Sequence, residues 1–117
     1  MTTTHHDTLE TRSPAAREAA LMAALPAQVR AAQAVPAMAQ TLAGVQADAV
    51  CSRQALAALP VTRKSELLEH QKARRAASSF GGYSALGWNA QRAQRPAQRV
   101  FQSPGPIYEP EGPARDY

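Results

Sequence analysis

Residues 99–113 read RVFQSPGPIYEPEGP, a short strand signal followed by a segment dense in proline and glycine. The run at 99–102 sets Val and Phe among polar residues just before turn residues, which predicts one short strand. Proline fixes its own backbone and lacks an N–H donor, so the segment from Ser103 onward is predicted to be irregular. Strand and irregular tail together occupy residues 99–117.

The segment just upstream, residues 76–98, is predicted to be a loop followed by a basic linker. Its first part, SSFGGYSALGW at 78–88, places three glycines among aromatic residues, which indicates tight turns or close approach of the backbone. Tyr83 and Trp88 could stack on a base or pack under the glycines. The second part, NAQRAQRPAQR at 89–99, is polar and basic.

A helical segment is predicted for residues 13–75. Ser13 can cap a helix that opens at Pro14, because its hydroxyl can accept a backbone N–H and proline has none to lose at the first position. The apolar stripe of that helix would be Leu21, Leu25 and Val29. Pro26 interrupts the stripe, and a break or kink is expected there, with a second helix running to about Val35.

Two shorter helices are predicted next. One opens at Pro36 and stops near Gly44, because glycine readily adopts the backbone conformation that ends a helix. The other is capped by Ser52 and runs through Leu59.

The last helix of this segment, RKSELLEHQKARR at residues 63–75, has the clearest pattern. Thr62 can cap it, and Glu66 can meet His70 four residues later. His70 could act as an acid or base, or it could be a surface histidine without a catalytic partner. The residues expected to face inward are Leu67 and Leu68.

The composition does not favour an independent core. Hydrophobic residues make up 44% of the 117 residues, but many are alanines, and the aromatic residues, 5% of the chain, begin only at Phe80. Residues 1–79 would have to use scattered Leu, Val and Met, each worth roughly 1.5–3 kcal/mol when fully buried. An alanine-rich layer of this kind suits packing on a neighbouring surface better than supplying a core alone.

Residues 1–12 are polar, and a disordered lead-in is expected. His5 and His6 lie there, but a metal site needs more ligands at suitable spacing, so no metal is expected. A single cysteine, Cys51, fits a reducing compartment, and no apolar run approaches the roughly 18 residues of a membrane span. These features predict a cytoplasmic protein with no membrane partner.

The net charge of +4 is concentrated in one part of the chain. Residues 61–99 carry eight basic residues against two acidic ones, whereas residues 1–60 are balanced. This excess supports an alternative function, a small basic helical module that binds nucleic acid or an acidic protein partner. The segment has no recognisable reading helix or aromatic-interleaved sheet, so nucleic acid is not the expected partner. The arginines that could neutralise a phosphate, or form a solvated linker, are Arg92, Arg95 and Arg99.

Three stretches in order resemble phenylacetate-CoA ligase-like members of the adenylate-forming (AMP-dependent synthetase/ligase) superfamily. They are ETRSPAAREAALMAALPAQV at 10–29, LAALPVTRKSELLEHQ at 56–71 and RVFQSPGPIYEP at 99–110. The first resembles the family's leading helical region. The second resembles its Leu-Pro, Thr, Lys and Leu pattern before a loop with Gly and Phe, and the third its phosphate-binding strand and loop.

The resemblance implies that this mainly α chain is the N-terminal helical segment of a larger α/β ligase domain. In the family's reaction, ATP activates a carboxylic acid as an acyl-adenylate, and coenzyme A then displaces AMP to give a thioester. ATP and coenzyme A are thus the implied cofactors. The implied partners are the remainder of the ligase domain and, in the full protein, a small carboxylic acid. The regions that bind the adenylate and the acyl group and supply the catalytic lysine would lie further on, so this fragment is expected to be inactive alone.

In the family, the loop reads Ser-Ser-Gly-Thr-Thr-Gly-x-Pro, commonly with Lys at x, and its hydroxyls and N–H groups converge on the pyrophosphate of ATP. The corresponding residues here are 103–110, SPGPIYEP. Ser103 and Gly105 match and are the candidate cofactor-binding residues of a degenerate phosphate loop. No catalytic residue is predicted.

Several substitutions in this loop weaken its phosphate chemistry. Pro104 and Pro106 each delete an N–H donor and lock the backbone. Ile107 removes a hydroxyl, and Tyr108 fills the second glycine position. Glu109 adds negative charge near an anionic ligand. The alternative to a phosphate loop is therefore a rigid structural loop or a loop that binds a different ligand.

Overall fold

The computed structural model describes residues 4–87 and 97–113. Within these ranges the chain is mainly helical, with one two-stranded antiparallel sheet. The elements in chain order are α1 (Pro14–Gln33), α2 (Pro36–Thr41), a 3-10 turn (Ala47–Ala49), α3 (Arg53–Ala57), α4 (Lys64–Arg74), β1 (Arg99–Gln102) and β2 (Tyr108–Glu111). The chain divides into two compact units. The described residues of 1–30 and 45–59 form the first unit, and those of 31–44 and 60–117 form the second. None of the helices in the described ranges is long and apolar enough to cross a membrane.

Helix α1 begins as predicted but does not break. The hydroxyl of Ser13 accepts the Ala16 N–H at 3.2 Å, and Pro14 is the first helical residue. Pro26 lies inside the continuous helix, so the predicted break is wrong. An interior proline costs about 3 kcal/mol through one lost hydrogen bond and a steric clash. Alanine, which is frequent on both sides of Pro26, has the highest helix propensity of any residue type. The burial of Val29 further along α1 adds a packing contact.

The first unit also contains α3, whose N-terminal cap is the predicted one. The hydroxyl of Ser52 accepts the Ala55 N–H at 3.2 Å. Arg53, the next residue, donates from Nε and Nη2 to the two carboxylate oxygens of Glu18 on α1, both at 2.5 Å. That hydrogen-bonded guanidinium holds the pKa of Glu18 below its ordinary value. The capped helix thus presents the arginine that ties α3 to α1.

The second unit places its core around α2 and the glycine-rich loop. Helix α2 is followed by Gly44 at φ +80°, as the helix-stop prediction required. The Ala37 N–H donates to the Gly82 carbonyl at 2.9 Å, so the loop backbone closes on the first turn of α2. Gly82 has φ +79°, a conformation that favours glycine. The buried apolar residues of this unit are Val35, Ala37, Leu42, Phe80 and Ile107.

Helix α4 starts one residue later than predicted. Arg63, not Thr62, is the residue before the first turn, and its backbone is extended. The carboxylate of Glu66, in the first turn, accepts the N–H of Arg63 at 3.2 Å, as the glutamate of a capping box does. Glu66 is therefore engaged at the helix start, and the expected pair with His70 is not what forms. Leu67 and Leu68 are half-buried, as the inward-facing prediction implied.

The tail contains a second strand that the sequence pattern did not predict. Strand β1 lies where it was predicted, but Tyr108–Glu111 pairs with it antiparallel, so the irregular-tail prediction is wrong for those residues. The Ser103 N–H donates to the Ile107 carbonyl at 3.0 Å and closes a five-residue hairpin loop, residues 103–107. Hydrogen-bonded and non-bonded pairs alternate from that point, which puts Pro110, opposite Val100, at a position where no N–H is required.

Candidate functional site

The candidate residues Ser103 and Gly105 both lie in the hairpin loop 103–107. The Ser103 N–H is already bonded to Ile107, and its Oγ is buried without a hydrogen-bond partner among the described residues. Gly105 has φ +87°, and an added Cβ would meet nothing within 4 Å. The glycine is thus explained by its backbone conformation, whereas the space beside it is open.

The donors of this loop do not fit a nucleotide phosphate. Pro104 and Pro106 have no N–H, and the Ser103 N–H is spent within the loop. Only the N–H groups of Gly105 and Ile107 remain in the five residues, whereas phosphate-binding loops aim a run of such donors at one anion. Glu109, two residues beyond the loop in β2, is exposed and adds negative charge.

Lys64, at the start of α4, contacts the loop directly. Its Nζ donates to the Pro104 carbonyl at 2.7 Å, so this ammonium group is bonded to the loop's own backbone. In the sequence, Lys64 was one of the basic residues of the segment 61–99 and the lysine of the Leu-Pro, Thr, Lys and Leu pattern at 56–71.

Gln71, seven residues after Lys64 on α4, holds the strand that follows the loop. Its Nε2 donates to the Tyr108 carbonyl at 3.1 Å, and its Oε1 accepts the Tyr108 N–H at 3.0 Å. Gln71 is 7% exposed, and it is the polar residue that is buried in the part of the chain that the structure describes. Gln71 therefore hydrogen-bonds the outer edge of β2 as a neighbouring strand would. A signal was present in the sequence, because this glutamine continues the stripe of Leu67 and Leu68.

Gly81 explains how the glycine-rich loop approaches α4. A Cβ at Gly81 would lie 2.8 Å from the Cα of Gln71, which is closer than real Cβ atoms approach backbone. Its φ is +65°, so it also adopts a left-handed conformation. The predicted close approach of the backbone in this loop is confirmed, and its partner is the helix residue that holds β2.

An open cleft of about 540 Å³ lies between α4, the glycine-rich loop and β2. Phe80 and Ile107 form its buried floor, and Tyr83 lies at its side. His70 Nδ1 is 2.5 Å from the Tyr83 hydroxyl, and the two rings stack with centroids 6.1 Å apart and an interplanar angle of 12°. The histidine thus contacts a tyrosine instead of the predicted glutamate, and this pair favours the surface-histidine alternative over an acid–base role.

Several basic side chains of the second unit have partners within that unit. Lys72 Nζ donates to Glu69 at 2.9 Å, and Arg74 Nη2 donates to Gln40 Oε1 at 2.7 Å. Arg99 forms an ion pair with its cross-strand neighbour in β2. The two ion pairs offset part of the positive charge that a polyanion would meet, whereas the neutral amide of Gln40 leaves the charge of Arg74 unchanged. The remaining residues that were considered for phosphate or base contacts, Trp88, Arg92 and Arg95, lie outside the described residues.

The N-terminal histidines pair with nearby carboxylates. His5 Nδ1 is 3.3 Å from Glu10, and His6 Nδ1 is 3.7 Å from Asp7. In residues 4–87 and 97–113, no three side chains of His, Cys, Asp or Glu are grouped so that they could hold a metal ion.

No family model matches this chain, and neither a curated protein nor a solved structure matches it. The ligase resemblance therefore rests only on the three stretches at 10–29, 56–71 and 99–110.

Proposed function

We propose that this chain is the N-terminal section of a phenylacetate-CoA ligase-like protein of the adenylate-forming superfamily. In that protein it contributes a helical layer and a hairpin, while the residues that bind the acyl group and coenzyme A come from the rest of the domain. ATP and coenzyme A are cofactors of the full protein, and a small carboxylic acid is its substrate. The proposed location is the cytoplasm.

The observation that carries this proposal is the order of elements around the hairpin. Helix α4 follows the Leu59-Pro60 turn, the loop with Phe80 and its glycines follows α4, and β1 runs directly into loop 103–107. This is the order in which the resemblance sets the family's helix, its loop with Gly and Phe, and its phosphate-binding strand and loop.

The half-buried and exposed alanines of α1 give secondary support. Among described residues of this helix only Val29 is buried, and Leu21 remains 51% exposed. A helix that is apolar on more than one side is typical of a layer covered by further protein.

The direct test is to read the coding sequence beyond the codon for Tyr117. We expect this frame, or a neighbouring frame after a shift, to continue into a long α/β sequence that contains the family's adenylate-binding and catalytic-lysine regions. A stop codon followed by unrelated sequence in all three frames contradicts the proposal.

A biochemical test uses the 117-residue chain itself. ATP–pyrophosphate exchange should be undetectable with this chain, with or without phenylacetate, because adenylation needs groups that it does not supply. Exchange above that of a heat-denatured sample would contradict the proposal that adenylation needs residues from the rest of the domain.

A further inference from the structure

We infer that loop 103–107 is held in its conformation by helix α4 and does not bind the phosphates of a nucleoside triphosphate. This deepens the proposed function, on which it rests, because it says what the family's phosphate loop has become in this chain. Lys64 is the positioning residue of the loop, and the candidate residues Ser103 and Gly105 have structural roles.

The first argument is the position of the two contacts that α4 makes with the hairpin. Lys64 bonds the carbonyl of Pro104 at 2.7 Å, and Gln71 bonds both backbone groups of Tyr108 at 3.0 and 3.1 Å. Residues seven apart lie on the same side of a helix, two turns from one another. The helix thus contacts the hairpin at its loop and again at the strand that follows.

The second argument is the state of the donors. A phosphate-binding loop needs N–H groups that are free to turn toward the anion. Here Ser103 closes the hairpin through its N–H, and two of the five loop residues are prolines. A phosphate seated on the loop would also have to draw Lys64 away from the Pro104 carbonyl.

The third argument is electrostatic. The Lys64 ammonium donates a hydrogen bond to the Pro104 carbonyl oxygen, which is the negative end of a peptide dipole. The cation therefore has an acceptor in the loop without a bound anion. Glu109 is exposed beyond the loop, where it would repel a polyphosphate. Both features favour a hairpin that is complete without an anionic ligand.

The experiment is amide hydrogen exchange and ¹H–¹⁵N NMR on the full 117-residue chain. Without nucleotide, we expect the Ser103 amide to be protected, because its N–H is bonded to Ile107. Lys64→Met should speed its exchange by roughly 3- to 10-fold, the effect of losing one hydrogen bond at a solvent-exposed position. Lys64→Arg, which keeps a cation, should recover most of the protection. Arg74→Met is the matched control, since it removes a positive charge from the same helix at a side chain that donates to Gln40 of α2, and it should leave Ser103 unchanged.

The second arm adds MgATP to about 5 mM. We expect no saturable shift of the Ser103, Gly105 or Ile107 amides. A saturable shift overturns the inference, whether Lys64→Met abolishes it or leaves it intact. Exchange of Ser103 at the rate of an unstructured peptide in the unsubstituted chain also overturns it, because the loop would then not be held.

The two proposals fail in different ways. MgATP binding at the loop contradicts this inference and leaves the ligase assignment standing. A downstream coding sequence without ligase regions contradicts the assignment, but the effect of Lys64→Met on Ser103 would still be measured in the hairpin.

Discussion

Replacing Gln71 with alanine tests the two hydrogen bonds between this residue of α4 and the backbone of Tyr108 in β2. The substitution leaves the Tyr108 N–H and carbonyl without their partners, which lie at 3.0 and 3.1 Å from the glutamine amide. An unsatisfied buried group costs about 1–3 kcal/mol, and because Tyr108 is half-buried each of the two groups is expected to cost about 1–1.5 kcal/mol. The expected loss is about 2–3 kcal/mol for local opening of β2.

Native-state hydrogen exchange of the Tyr108 amide measures this loss directly. Because 1.4 kcal/mol corresponds to a tenfold change, exchange should become about 30- to 150-fold faster in Gln71→Ala. Gln54→Ala, which shortens an exposed glutamine on α3, is the control and should change Tyr108 by less than about 2-fold. An increase below about 3-fold in Gln71→Ala, or an equal increase in the control, would refute the argument that this amide takes the place of a neighbouring strand.

Three further predictions concern other contacts. Gly81→Ala should destabilise the chain by about 1 kcal/mol more than Gly44→Ala in urea unfolding, because both glycines have positive φ but only Gly81 would press its Cβ against Gln71; equal effects would contradict this. The pKa of Glu18, lowered by the hydrogen-bonded Arg53 guanidinium, should return toward its ordinary value in Arg53→Ala when the carboxylate is titrated by NMR. Since a depressed carboxylate pKa stabilises the fold above the unfolded-state pKa, that stabilisation should vanish as the pH falls through the folded-state pKa of Glu18, and an unchanged titration in the variant would exclude the pair. Finally, the basic segment 61–99 should show no salt-sensitive oligonucleotide binding at about 50 mM salt, where phosphate contacts are strong; binding that weakens steeply with salt would favour the alternative binding module.

Local signals in the sequence predicted most helix starts. The caps at Ser13 and Ser52 depend on a hydroxyl and the next few backbone N–H groups, so they can be recognised without the rest of the fold. Gly44, two residues after the C-terminal cap of α2 at Leu42, has the positive φ that was expected near this helix end. The start of α4 was predicted one residue too early. Thr62 offers a hydroxyl for a cap at its own position, whereas Glu66, inside the helix, accepts the N–H of Arg63 and so favours Arg63 as the cap residue.

Strand β2 and the site contacts required information that is distant along the chain. Pro110 argued against a strand, yet its missing N–H has no effect at a non-bonded position, and that position is known only once the register with Val100 is known. The expected phosphate loop pointed to Ser103 and Gly105. The bonds that hold the loop, from Ser103 to Ile107 and from Lys64 to Pro104, are known only from the folded structure.

The sequence by itself determined the helical character of residues 13–75, the strand at 99–102 and the lack of N–H donors at Pro104 and Pro106, because each depends on residues close together in the chain. Only the tertiary structure decided that α4 holds the hairpin through Lys64 and Gln71. A lysine and a glutamine on a helix surface are ordinary in sequence, and their partners lie 40 and 37 residues away. Contacts of that separation form when the backbone of Gly81 and the core around Phe80 bring the helix and the hairpin together.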